Sequence, residues 1–160
     1  EHDAIHTHAL TRVIFLQRNR SRLSFRKLTM TSVTKEDAIR ALITDFCSIE
    51  KNIEVITTRT TSDFRFIRPS GNPVDAKGFV NMYASGDLVM HVVGLSKIHR
   101  LDVYGDHAFA AFTQVATFTY KGEPNDDVFT ATALFQEVDD VWNISWIQRS
   151  SGQADQATWF

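Results

Sequence analysis

Val141-Trp142-Asn143-Ile144-Ser145-Trp146-Ile147-Gln148-Arg149-Ser150-Ser151-Gly152 is the stretch on which the reading of the fold turns. Its alternation predicts a strand. Trp142, Ile144 and Trp146 fall on one face, and Asn143, Ser145, Ile147 and Arg149 on the other. Two indoles side by side want burial, and an arginine among small polar residues wants an anion or a carboxylate. A strand occupied on both faces belongs in the middle of its sheet.

Upstream of it the period stays at two. Leu88–Val93, Ser96–Tyr104, His107–Tyr120 and Val128–Val138 read as successive strands. Gly105-Asp106 and Asp139-Asp140 are tight hairpin turns, and Lys121–Asp127, with Gly122 and Pro124, reads as a longer loop. Further back the period lengthens. Thr34 and Asp37 form a capping-box pair that opens a helix carrying Ile39, Leu42, Ile43 and Phe46 on one face. This helix is expected to run for about 15–20 residues, until the β-branched stretch Val55–Thr61 stops it. Asp63–Ile67 is a short strand, Pro69–Pro73 a turn, and Asp75 the cap of a second helix that ends at Gly86. Helices followed by an antiparallel meander make an α+β class, with N-terminal helices packed on the sheet.

Aligning the long strands by alternation gives the sheet two faces. One carries Ala110, Phe112, Gln114, Phe129, Ala131, Ala133 and Phe135, with Asn143, Ser145 and Arg149 from the last strand. Small residues among phenylalanines leave room, so this face is expected to form a cup under the helices. Arg149, Gln114, Ser145, Asn143, Phe112, Phe129, Ala133 and Phe135 are its candidate lining. The competing arrangement has the first helix filling the cup and Arg149 simply paired with a carboxylate. The other face carries Val115, Thr117, Leu134, Trp142, Ile144 and Trp146. Leaving such a face in water costs roughly 25 cal/mol per Å² of apolar area. Leu134, Trp142, Ile144 and Trp146 are therefore the candidate surface for a homodimer or higher homo-oligomer. Alternatively the N-terminal segment, or the tail with Trp159 and Phe160, folds back over it.

Bulk properties narrow the classes. The chain has 160 residues, 43% of them apolar and 22% charged, and no apolar run approaches a membrane span. Its net charge is −2, but the balance is uneven. Residues 1–30 hold six basic residues against Glu1 and Asp3, and the remainder holds 11 basic and 17 acidic residues. The sequence therefore divides into a basic leader (1–33), a domain (34–152) and a tail (153–160). The leader is flexible, tag-derived or similar in composition to an organelle transit segment. A soluble intracellular protein is expected, directed to a chloroplast or mitochondrion if that leader is native. In the body, aromatics do not interleave with basic residues, which argues against nucleic acid. Cys47 is the single cysteine and reads as a small buried hydrophobe.

Two stretches resemble a known family. Tyr104-Gly105-Asp106-His107-Ala108-Phe109-Ala110-Ala111-Phe112 is similar to a hairpin that feeds a long strand in the nuclear-transport-factor-2-like (SnoaL-like, cystatin-like) superfamily. Trp142–Ser150 is similar to its terminal strand, and the association domain of calcium/calmodulin-dependent protein kinase II is the nearest in look. The resemblance covers roughly Thr34 to Gly152 and implies a cone-shaped, strongly curved antiparallel sheet, but it does not fix function. The association domain holds several arginines in its pocket. Arg149 matches one, while Gln114 and Ala133 stand at two others. The iota-type carbonic anhydrases need a His-His-Ser-Ser-like run, and this chain has Gln148-Arg149-Ser150-Ser151.

No catalytic set is visible. Asp63, His91, His99 with Asp102, and His107 with Asp106 are the candidate bases of an isomerase-like or dehydratase-like site. His91, His99 and His107 fall on different elements, so no metal site is expected there, and His2, His6 and His8 are the one group with ligand spacing. No cofactor is implied. The primary reading is a non-catalytic domain that binds a small amphiphilic or anionic ligand, or serves in oligomeric assembly. The alternatives are a SnoaL-like isomerase or dehydratase acting on a small carbonyl or aromatic substrate, and an accessory subunit of an organellar complex.

Overall fold

The structure, a computed structural model, describes residues 33–151. Helix α1 (Lys35–Phe46) opens with the expected capping box: Thr34 and Asp37 satisfy each other's backbone N–H groups. It stops after 12 residues, short of expectation. The chain turns, and Asn52 Nδ2 donates to the free carbonyl of Phe46. A second helix, α2 (Asn52–Thr58), follows through the β-branched run that was expected to end helical structure. The hydroxyls of Thr57 and Thr58 donate to carbonyls four residues back, at 2.7 and 2.8 Å, at the end of this short helix.

Strand β1 (Thr60–Ile67), the two-residue β2 (Pro73–Val74) and helix α3 (Ala76–Ala84) come next. Asp75 Oδ1 caps α3 by accepting from Gly78 N at 2.7 Å. The meander follows as β3 (Leu88–Tyr104), β4 (His107–Tyr120), β5 (Glu123–Val138) and β6 (Val141–Ser151). The six strands form one sheet in the order β2-β1-β6-β5-β4-β3. All neighbours are antiparallel except β1 and β6, which run parallel, so the sheet is mixed. The terminal strand is interior to its sheet, as its two occupied faces imply.

Two boundaries differ from expectation. Leu88–Val93 and Ser96–Tyr104 are one strand of 17 residues, interrupted against β4 between Met90 and Val92, Leu95 and Lys97, and Ile98 and Arg100. Each interruption is a bulge that bends the strand, and three of them curl this edge of the sheet. The loop expected over Lys121–Asp127 is only a two-residue turn, with φ of 51° at Lys121 and 86° at Gly122. Positive φ at both central residues is the type I′ requirement, which matches strand twist.

One further bulge rearranges the faces. Across β5 and β6, Leu134 pairs with Trp146 and Phe135 with Ile144, which leaves Ser145 as the extra residue. Its hydroxyl donates to the Leu134 carbonyl at 3.2 Å. Side chains before and after a bulge lose strict alternation. Trp142 and Ile144 therefore point inward with Ile147, and all three are buried. Trp146 points outward and is partly exposed. The expectation that Trp142, Ile144 and Trp146 share a face, and that Trp142 and Ile144 lie on a partner surface, is overturned. Trp142 is a core residue capped by Lys35, whose ammonium lies 5.6 Å from the ring centroid.

The core lies between the sheet and the helices. Ile39, Leu42, Ile43 and Phe46 of α1 meet Phe112, Ala131, Ala133, Phe135, Ile144 and Ile147. Phe79 of α3 meets Phe66 edge-on, with ring centroids 5.1 Å apart. Helix α1 covers one part of this face and leaves another part open. Phe112, Ala133 and Phe135 belong to the filled part.

Candidate functional site

The open part of the inner face begins where the core rows end. On β4 the inward series Ala108, Ala110, Phe112 gives way to Gln114, Ala116 and Phe118. On β5 it passes from Phe135, Ala133 and Ala131 to Phe129, Asp127 and Asn125, and on β6 from Ile147 to Arg149 and Ser151. A cavity of about 280 Å³ sits over this region. Its wall includes Arg149, Gln114 and Phe129, with Tyr83 and Met82 from α3 and Leu88 and Met90 from β3. Arg68, Tyr120, Asn125 and Asp127 also line it, and Arg68 Nη1 donates to the Tyr120 hydroxyl at 3.2 Å.

Of the eight expected lining residues, the structure brings Arg149, Gln114 and Phe129 to the cavity wall. Phe112, Ala133 and Phe135 share that face but are sealed in the core beneath α1. Asn143 and Ser145 leave the cup for a local reason. Asn143 is outward next to buried Trp142 and donates to Val141 O at 2.8 Å, and Ser145 is spent on the bulge. Sequence alternation carried both to the wrong side because a bulge has no composition of its own. The α3 and β3 contributors, Tyr83, Met82 and Met90, were also missed. Only tertiary packing places them opposite β6.

Arg149 governs the electrostatics. Its Cζ lies 5.4, 4.9 and 5.1 Å from the ring centroids of Phe46, Phe66 and Phe129. Ring faces carry partial negative charge and hold a guanidinium where water is scarce. Nε is sealed from solvent and has no hydrogen-bond partner, while the side chain as a whole still borders the cavity. No carboxylate among the described residues forms an ion pair with it. The ionisable neighbours that favour its charge are Cys47 and Tyr83. Neither is an anion at neutral pH, because burial pushes the Cys47 thiol up to about 12 and raises the Tyr83 phenol. Burial lowers Arg149 to about 10, so it stays cationic at pH 7. Arg149 thus gives the cup a positive floor, and among the described residues no carboxylate is paired with it.

The candidate bases lie elsewhere. His91 Nε2 and His99 Nε2 meet Thr119 and Thr113 hydroxyls, at 2.9 and 2.7 Å, on the outer face. His107 Nδ1 contacts Asp106 at 2.8 Å at an exposed turn. Asp102 pairs with Arg100, and Asp63 accepts from Thr61. Asp127 is the carboxylate at the cavity wall, and sequence reading passed over it because it falls in the stretch taken as a loop. No group of three metal-ligating side chains exists among the described residues, and His2, His6 and His8 lie outside them. No helix among the described residues is long and apolar enough to cross a membrane.

Comparison with known proteins gives the following. The profile of a family described as "protein of unknown function (DUF3804)" matches residues 34–160. An NTF2-like protein of unknown function from Prochlorococcus is 43% identical, with 79% of this chain and 99% of that chain covered at a TM-score of 0.72. A putative calcium/calmodulin-dependent kinase II association domain from Exiguobacterium sibiricum is 18% identical over 76% of this chain and 96% of its own, at a TM-score of 0.65. An uncharacterized cystatin-like protein from Caulobacter vibrioides is 18% identical over 76% and 92%, at 0.61. At that identity the last two bear on fold alone. No curated protein sequence matches the chain.

Proposed function

The chain belongs to the DUF3804 family and has the nuclear-transport-factor-2-like, cystatin-like fold, and from that premise we propose that it is a non-catalytic module binding a small amphiphilic anion in its cup. The observation that carries this reading is Arg149: a cation held by three phenylalanine rings at the wall of an open cavity, with no carboxylate of the described residues paired to it. An unpaired charge removed from water is costly, and an incoming anion relieves that cost. Leu88, Met90 and Phe118 along the wall suit an apolar body behind the anionic head.

Calorimetric titration with phenylacetate and with neutral phenylacetamide tests the reading. The acid is expected to bind and the amide not, and Arg149→Met should abolish binding of the acid. Equal affinity for acid and amide, or unchanged affinity in the variant, removes Arg149 from the site.

Self-association through the outer face is the second part of the reading. It rests on Leu134 and Trp146, adjacent on neighbouring strands, with Val115 and Val92 farther along the same face, all exposed. A catalytic alternative, the isomerase or dehydratase, has Asp127 in its favour as a carboxylate at the cavity wall. Deuterium exchange from a carbonyl compound's α-carbon, lost in Asp127→Asn, would replace the binding reading. Service as an accessory subunit in an organelle rests on the basic leader, which lies outside the described residues.

A further inference from the structure

Gln114 is the second anomaly of the cup, and its chemistry narrows the ligand. It sits on β4 opposite Leu95 and Phe129, at the line where the core gives way to the cavity, and it is completely buried. Both amide atoms, Nε2 and Oε1, are sealed from solvent and have no hydrogen-bond partner, and yet the residue borders the cavity. Sealed atoms cannot be satisfied by solvent, and buried amides without partners are rare because each lost bond is costly. A leucine would fit such a position at lower cost. Gln114 and Arg149 flank Phe129, whose ring lies under the guanidinium.

We infer that the cup selects carboxylates that carry a neutral hydrogen-bond donor near the acid group, such as 2-hydroxy acids, with Gln114 turning its amide into the cavity to read that donor. This rests on the binding reading above. A carboxylate only accepts hydrogen bonds. It can take one from Arg149 and one from Gln114 Nε2, but it offers nothing to Oε1. A hydroxyl beside the acid group fills that place. An ammonium would donate as well, but it would sit against the unneutralised guanidinium, so 2-amino acids are disfavoured.

The test compares 3-phenyllactate, 3-phenylpropanoate and phenylalanine by calorimetric titration against the full chain. Phenyllactate should bind about tenfold more tightly than phenylpropanoate, the usual scale for a buried polar group left unpaired. Phenylalanine should bind more weakly than phenyllactate. In Gln114→Leu the preference should fall to about onefold, with phenyllactate losing more affinity than phenylpropanoate, which loses only the bond from Nε2, and the ligand-free variant should melt at a higher temperature. Gln114→Met serves if the leucine variant does not fold. Equal affinities for phenyllactate and phenylpropanoate in the wild type, or a preference that survives in the variant, overturn the role of Gln114 and leave the anion cup standing. No binding of either acid removes the cup reading, and this inference with it.

Discussion

Arg149 and Cys47 occupy the same corner of the core, and burial acts on them in opposite directions. It lowers the guanidinium and raises the thiol, so both drift toward neutrality, and only the arginine is still charged at pH 7. Replacing Arg149 by methionine removes a charge that no carboxylate among the described residues pairs with. The melting temperature should therefore stay level or rise even as anion binding is lost; a clear drop in melting temperature would mean that the arginine is structural. The Cys47 thiol, held at about 12, is almost wholly protonated under ordinary conditions, and the thiolate is the nucleophile. At pH 8 the folded protein should resist maleimide labelling, whereas denaturant should expose one reactive thiol per chain, read by mass spectrometry. Rapid labelling of the native chain would show that the corner opens.

At the scale of the element, the last strand carries most of the information and most of the error. Its central place in the sheet was legible in the two occupied faces of Val141–Ser151. The capping box at Thr34 was legible too, because both partners lie within four residues of sequence. Arg149, Gln114 and Phe129 were legible as lining residues because alternation holds between them and the cavity. What escaped were features set by pairing across strands: the Ser145 bulge, the three interruptions of β3, and the parallel partnership of β1 with β6. No residue type announces a bulge, and a one-residue shift exchanges every side chain beyond it. That sensitivity can be measured. Deleting Ser145, the extra residue, restores plain alternation and should leave Trp142, Ile144, Ile147 and Arg149 facing inward. Circular dichroism should still show cooperative unfolding, and a chain that loses it would mean that the register across this bulge is other than Leu134 with Trp146 and Phe135 with Ile144. Trp142→Ala should cost about 3–5 kcal/mol in denaturant unfolding, as for other buried aromatic truncations. A cost under about 1 kcal/mol, the surface range, would place the indole outside the core.

For the whole molecule, the question is what meets the outer face of the sheet. The bulge removes Trp142 and Ile144 from that face, so the proposed partner surface rests on fewer apolar groups. Leu134 and Trp146 remain, at 47% and 36% exposed, with Val92 at 56% and Val115 at 37% farther along. Threonines separate them, notably Thr117 and Thr130, so the patch is mixed rather than oily. Stable interfaces bury about 800 Å² per partner and need apolar anchors inside a polar rim. A four-stranded face of this length offers that area, and Trp146 beside Leu134 offers the anchor. In an isologous pair every residue near the axis meets its own counterpart region. Trp146→Lys then brings like charges together and also removes the anchor, without touching the core. Light scattering after size-exclusion should give twice the chain mass of 18.2 kDa for the wild type and a single chain mass for the variant. The two proteins should melt within a few degrees of each other at low concentration, where the wild type is dissociated as well. A wild type that is monomeric at high concentration, or a variant that stays paired, would mean that this face does not join two copies.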